Sequence, residues 1–239
     1  MNAGSKQILM VVANPSVSRT LGWPVGFWAS ELIHPYHEFI QQGYDITIAS
    51  PEGGKVEFDG FSDPRDESGY SKDDTLSLLY INKPEFMEKL ENTPNVKDMK
   101  ADEFDAIVVC GGQSPMFTFE TAAGLQETFL SFYKAEKPSA ALCHGTALLL
   151  YLKDDEGKPI ITDKKMTGFA NSEEDYGDNV VGQKMMPFRI EDEATKLGAN
   201  FVTAEAFSAH ALQDGNLITG QQQNSGAAVA ELVIAALGA

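Results

Sequence analysis

Cys143 and His144 are neighbours in the stretch Ala141-Leu142-Cys143-His144-Gly145, which joins two apolar runs. A sharp turn from a strand into a helix projects one side chain outward, and small residues two positions before and after it avoid a clash. Free N–H groups at a helix start also stabilise a thiolate. The pattern predicts a nucleophilic Cys143, and a buried, inert cysteine is the alternative that spacing alone leaves open.

The other cysteine, Cys110, ends the apolar run 104–110 and has no basic neighbour in the sequence, so we expect it in the core. Gly111 and Gly112 follow it. Glycines permit close backbone approach, and their N–H groups can face an oxyanion. A pair of glycines is equally typical of an ordinary turn.

Several other polar residues have types suited to chemistry. Glu31 lies in an apolar segment, where a carboxylate is either a rim residue or a perturbed functional acid. His34 and His37 have no carboxylate or cysteine to complete a ligand set, so we expect structural roles and neither metal nor cofactor. The acidic run 173–175 has the form of a solvated helix start. For His210 we expect a structural or rim position.

Strands and helices alternate along the chain, which predicts a single α/β domain spanning 1–239 with a mostly parallel sheet flanked by helices. Ligands of such sheets sit beyond the carboxyl ends of the strands, where Cys143 is expected. A surface loop is predicted at about 52–70. The predicted strands are 7–13, 45–50, 104–110, 139–142, 166–168, 201–203 and 217–219, and the predicted helices are 27–42, 125–135, 145–152, 188–197 and 225–237.

Composition excludes several classes of protein. The 239 residues include 18 Lys and Arg against 35 Asp and Glu, and the net charge of −17 disfavours nucleic-acid and anionic-membrane partners. Only two cysteines are present, which indicates a reducing compartment rather than a disulfide framework. The apolar run 8–13 is too short for a secretory signal, so we expect a cytoplasmic protein.

The stretches 108–112 and 140–147 resemble motifs of the ThiJ/PfpI superfamily, whose fold is that of the class I glutamine amidotransferases. The stretches 31–36, 167–174 and 214–220 look like its branch of heat-shock chaperones and glutathione-independent glyoxalases (glyoxalase III). The resemblance extends over nearly the whole chain. It implies a nucleophile elbow at a strand–helix turn, and a homodimer.

The resemblance also implies residue roles. Cys143 would be the nucleophile, and Glu31 would contact its sulfur from the first helix. A protonated Glu31 would donate a hydrogen bond to the sulfur and lower the pKa of the thiol. His144 would carry the proton, oriented by Glu174, with Glu173 as second choice.

Gly112 and the backbone of His144 would form the oxyanion hole. Many members of the branch carry His after the glycine pair, whereas this chain has Gln113. The substrate pocket on that side is therefore expected to differ.

The implied reaction is glyoxalase chemistry. A cysteine thiolate attacks a 2-oxoaldehyde such as methylglyoxal, and a 2-hydroxy acid is released, as in a glyoxalase III-type lyase (D-lactate dehydratase). Two alternatives stay open. One is a stress chaperone or redox sensor whose elbow cysteine is oxidised, and the other is a cysteine-dependent amidase or peptidase.

Overall fold

The chain folds around a six-stranded sheet in the computed structural model, which describes residues 5–238. All neighbouring strands pair in parallel except the last two. In spatial order the strands are β4 (Asp45–Ala49), β1 (Gln7–Val11), β5 (Ala106–Val109), β6 (Ser139–Leu142), β10 (Leu217–Gly220) and β9 (Ala211–Asp214). The predicted mostly parallel α/β sheet is confirmed. Residues 1–4 and 239 of the predicted domain lie outside the described residues.

Helices and short strand pairs complete the described chain. The strand pairs are β2 (Ser16–Val17) with β3 (Pro24–Val25), and β7 (Lys165–Met166) with β8 (Asn200–Phe201). The α-helices are α1 (Ala29–Gln41), α2 (Thr75–Ile81), α3 (Pro84–Glu91), α4 (Pro115–Thr118), α5 (Ala123–Lys134), α6 (Asn171–Val181), α7 (Ile190–Lys196) and α8 (Gly226–Ala236). The 3-10 helices are Gly60–Ser62, Val96–Asp98, Ala101–Glu103, Phe119–Thr121, Cys143–Tyr151 and Gln223–Ser225.

Two apolar cores lie on opposite faces of the sheet. Side chains alternate along β1, so Ile8 and Met10 join one core and Leu9 and Val11 join the other. Helices α1 and α8 cover the first face, and α5 covers the second. The sheet is therefore buried on both sides, and its carboxyl edge is left to carry a site.

Some elements differ from the sequence prediction. The segment predicted as a helix over 145–152 is a 3-10 helix, Cys143–Tyr151, buried along most of its length. Because this segment is packed on nearly every side, its tertiary contacts rather than its local helix propensity decide that it forms a 3-10 helix. Helices α2 and α3 and strand β9 were not predicted. Among residues 5–238, no helix has the length and apolar character needed to cross a membrane.

Candidate active site

Cys143 lies directly after β6 in a strained turn. Its φ is +54°, in the left-handed region that L-residues seldom adopt. A Cβ on Gly145 would lie 2.7 Å from the carbonyl oxygen of Cys110, so the position two residues after the cysteine has no room for a side chain. The predicted elbow is confirmed, and its strain aims the sulfur away from the strand.

Two backbone N–H groups face the sulfur of Cys143, those of Gly112 and His144. Gly112 has a φ of +103°, and a Cβ there would lie 2.5 Å from the backbone nitrogen of Trp28. Only glycine allows this close approach. Backbone N–H groups beside a sulfur are the kind of donor that can stabilise an oxyanion on a carbon bound to that sulfur.

His144 lies between the sulfur and a carboxylate. Its Nδ1 is 3.9 Å from Sγ of Cys143, and its Nε2 is 3.0 Å from Oε1 of Glu174. Both side chains are buried, and the imidazole packs on the Phe169 ring with centroids 4.2 Å apart. Because the Glu174 carboxylate accepts, Nε2 carries the proton and the Nδ1 lone pair faces the thiol.

Glu173 has different contacts from its neighbour. Its Oε1 accepts hydrogen bonds from the N–H of Phe207 and from Gln221, each at 2.9 Å, and its Oε2 accepts the N–H of Ala170 at 2.9 Å. The side chain is fully buried. The expectation of a solvated helix start is therefore wrong for Glu173 and Glu174, because both point into the fold.

Glu31 lies in the first turn of α1 and is fully buried. Its Oε2 accepts the N–H of Gly111 at 2.7 Å, and its carboxyl group contacts the Cys143 sulfur. Within the described part of the chain, Oε1 has no conventional hydrogen-bond partner. Burial raises the pKa of Glu31 from 4.5 to about 8, so the carboxyl group holds its proton at neutral pH.

From the sequence we expect Glu31 to lower the pKa of the Cys143 thiol, and the structure indicates the opposite direction. Burial, and then the negative charge that Glu31 carries once it has ionised at higher pH, raise the pKa of the thiol well above its usual value, although the N–H groups of His144 and Gly112 oppose this. Loss of water around a sulfur that is 2% exposed outweighs the local donors. The resting sulfur is therefore a thiol, and the nucleophile has to form by proton transfer to a neighbouring base.

Sequence reasoning missed Asp59, which is buried in the loop before Gly60–Ser62. Its carboxylate accepts the N–H of Gly26 at 2.8 Å and that of Gln113 at 2.6 Å. Burial raises the pKa of Asp59 to about 6. The residue fixes the backbone next to Gly112, and its position in a polar loop gave no signal of this.

The remaining candidates have structural contacts. Cys110 is fully buried in the core, as predicted. Nε2 of His34 is 2.9 Å from the Asp74 carboxylate, and Nδ1 of His37 is 3.0 Å from a tyrosine hydroxyl. His210 is half-buried, and its N–H donates to the Ser225 hydroxyl. In the part of the chain that the structure describes, no three His, Cys, Asp or Glu residues are grouped as a metal site.

Several known proteins are similar to this chain in sequence and in fold. The chain is 29% identical to glyoxalase 3 of Candida albicans over 90% of this chain and 91% of that protein. It is 26% identical to the glutathione-independent glyoxalase HSP31 of Saccharomyces cerevisiae, over 91% and 92%. The crystal structure of glyoxalase III from Candida albicans superposes with a TM-score of 0.82 at 27% identity, covering 97% of each chain. Residues 24–236 match the DJ-1/PfpI family, and the chain therefore belongs to it.

Proposed function

We propose that this protein is a glutathione-independent glyoxalase that converts 2-oxoaldehydes such as methylglyoxal to 2-hydroxy acids. The observation that carries the proposal is the arrangement of Cys143 between His144 and Glu31, with two backbone N–H groups at the sulfur. The names of the relatives at 26–29% identity support the same chemistry. Sulfur, base and oxyanion donors all come from the chain itself, so no external thiol is needed.

The first step makes the nucleophile. Nδ1 of His144 accepts the proton of the Cys143 thiol as the sulfur attacks the aldehyde carbon, and the Glu174 carboxylate stabilises the imidazolium. The imidazolium then returns the proton to the former aldehyde oxygen. The product of this step is a neutral hemithioacetal on Cys143, and the step adds no charge to the buried site.

The second step moves hydrogen from the first carbon of the substrate to the second. A base removes the C1 proton, the electron pair of that bond moves towards the C2 oxygen, and this oxygen takes up a proton to give an enediol. The base then delivers the removed proton to C2, and the C1 oxygen releases its proton, which replaces the one that the C2 oxygen took up. The result is a 2-hydroxyacyl thioester, which water hydrolyses to the 2-hydroxy acid and the free thiol. Atoms and electrons balance without an added oxidant or reductant.

Glu31 is proposed as the group that moves this proton. Its carboxyl group contacts the sulfur, so it lies next to any carbon bound there. With a pKa of about 8 the carboxyl group is mostly protonated at neutral pH, and its ionised minority is the form that removes the C1 proton and then returns it to C2. His144 is already assigned to the thiol proton, so each step has its own base.

We also propose that the protein works in a reducing compartment. Cys110 and Cys143 are both free thiols, and the mechanism requires Cys143 to stay reduced, which supports a reducing compartment such as the cytoplasm. The homodimer implied by the resemblance stays a prediction.

Aldehyde consumption by the purified protein without glutathione tests the function. We expect turnover of methylglyoxal with release of lactate, its loss in Cys143→Ala, and its retention in the matched Cys110→Ala. Cys110 lies in the core and does not line the cleft, so its replacement should cost mainly packing, about 1 kcal/mol. Full activity of Cys143→Ala, or no turnover by the wild-type protein, would overturn the proposal.

A further inference from the structure

The cleft in front of Cys143 has room for a substituent larger than the methyl group of methylglyoxal. Its cavity volume is about 130 Å³, whereas one water molecule needs about 10–15 Å³ by the same kind of measure. Most of its lining is aromatic or aliphatic, including Trp28, Phe61, Tyr70, Phe169, Tyr176 and Val180. A methyl substituent would leave most of this surface uncovered.

The mouth of the cleft carries apolar side chains that face water. Tyr176 and Val180 on α6 are 51% and 69% exposed, and Tyr70 on the opposite loop is 51% exposed. Exposed apolar surface that surrounds a reactive group is typical of a binding site. A ligand with an apolar substituent would cover these side chains and gain about 25 cal/mol for each Å² removed from water.

The charge of the cleft disfavours anions. Among the described residues that line it there is no Lys or Arg, whereas Glu173 and Glu174 both contribute to it. The chain as a whole has a net charge of −17. A substituent bearing a carboxylate or phosphate would find no counter-charge here.

Gln113 supplies a polar group of fixed orientation on one wall of the cleft. The indole Nε1 of Trp23 donates to Oε1 of Gln113 at 3.2 Å, and because indole nitrogen only donates, the atom it meets must be the amide oxygen. Nε2 of Gln113 therefore forms the other end of the amide, on a side chain that also lines the cleft. Asp59 fixes the backbone of the same residue.

We propose that the site takes neutral 2-oxoaldehydes with an aryl or similarly bulky apolar substituent, and that the Gln113 amide donates to the C2 oxygen. This inference rests on the proposed function. The backbone N–H groups of Gly112 and His144 serve the oxygen on C1, so the oxygen on C2, which gains charge in the enediol, needs a separate donor. The apolar substituent then packs between Tyr176 and Tyr70.

A substrate series tests the class. For the wild-type protein we expect kcat/KM for phenylglyoxal to exceed that for methylglyoxal by about tenfold or more. We expect para-carboxyphenylglyoxal to be a poorer substrate than phenylglyoxal by a similar factor. If methylglyoxal is used as well as phenylglyoxal, this inference fails and the proposed function stands. If neither aldehyde is turned over, the proposed function itself fails.

A pair of valine variants separates binding from intrinsic aldehyde reactivity. Val180→Asp places a charge at the mouth of the cleft and should lower the phenylglyoxal-to-methylglyoxal ratio of kcat/KM about fivefold or more. Val17→Asp is the matched control, because Val17 is 57% exposed in β2 and does not line the cleft. Equal ratios in the two variants would contradict the placement of the substituent.

Gln113→Leu tests the polar contact. It removes the donor at similar size, so kcat/KM for phenylglyoxal should fall about tenfold or more. Phenylacetaldehyde also forms a hemithioacetal with Cys143 through its aldehyde carbon, but it has no oxygen on C2. Its inhibition constant should therefore be the same for Gln113→Leu and the wild-type protein. A parallel loss of inhibition by phenylacetaldehyde would show that Gln113 only supports the fold, and unchanged phenylglyoxal kinetics would remove it from the site.

Discussion

Replacement of Glu31 by Gln should remove a pH-dependent loss of folding stability. Burial raises the pKa of Glu31 from 4.5 to about 8, so the native state binds the proton more tightly than the unfolded chain. The free energy of unfolding therefore falls as pH rises through this window. A difference of about 3.5 in pKa, at about 1.4 kcal/mol each, amounts to about 5 kcal/mol above pH 8. Because Gln does not ionise, the Glu31→Gln variant should lack this fall in the free energy of unfolding with pH.

Urea unfolding from about pH 5 to about pH 9 measures the effect, with both proteins in a Cys143→Ala background so that the thiol does not contribute. Between about pH 5 and about pH 7 the free energy of unfolding of the protein with Glu31 should fall by about 2 to 3 kcal/mol more than that of Glu31→Gln. Asp59 ionises in both proteins, so its contribution largely cancels in the difference. Parallel stability curves would refute the assignment of a buried, protonated Glu31.

Three further substitutions follow from the contacts described above. Glu174→Ala should lower kcat about a hundredfold with little change in the urea midpoint of unfolding. Glu173→Ala should lower the free energy of unfolding by about 3 kcal/mol, because it leaves three donors unpaired, two of them buried. The reverse pattern would exchange their roles. Gly145→Ala should lower the free energy of unfolding by at least about 2 kcal/mol, measured by thermal unfolding, because the new Cβ would lie 2.7 Å from the backbone of Cys110. An unchanged stability would contradict the close packing at the elbow. Asp59→Asn should lower kcat about tenfold, because the amide NH2 group would face one of the two backbone N–H donors that the carboxylate now accepts. An unchanged kcat would show that the backbone around Gly112 keeps its conformation without Asp59.

The elbow was predictable because its sequence requirements are local. A strand, a cysteine and small residues on both sides are enough to specify the turn, and the structure has them where the pattern placed them. The sheet was predictable for a similar reason, since fully buried strands read as continuous apolar runs. Helix α3 was missed although Pro84 at its first position is a known start signal.

Long-range contacts account for what the sequence did not reveal. Asp59 and Gln113 are 54 positions apart, and only the fold brings that carboxylate to the backbone beside the glycine pair. The resemblance named Glu174 before Glu173 as the partner of His144, but the spacing of the residues alone did not separate them, because the direction in which each side chain leaves α6 depends on the fold. The raised pKa of the Cys143 thiol likewise follows from burial, which neighbouring residues in the sequence do not encode.

The left-handed backbone at Cys143 also has a consequence for protein engineering. An L-residue adopts that conformation at a cost of about 1–2 kcal/mol, whereas glycine adopts it without steric strain. A screen that ranks substitutions by melting temperature alone would therefore favour glycine at position 143 on backbone grounds and discard the nucleophile. Libraries aimed at thermostable variants of this chain should hold position 143 fixed and seek their gains elsewhere.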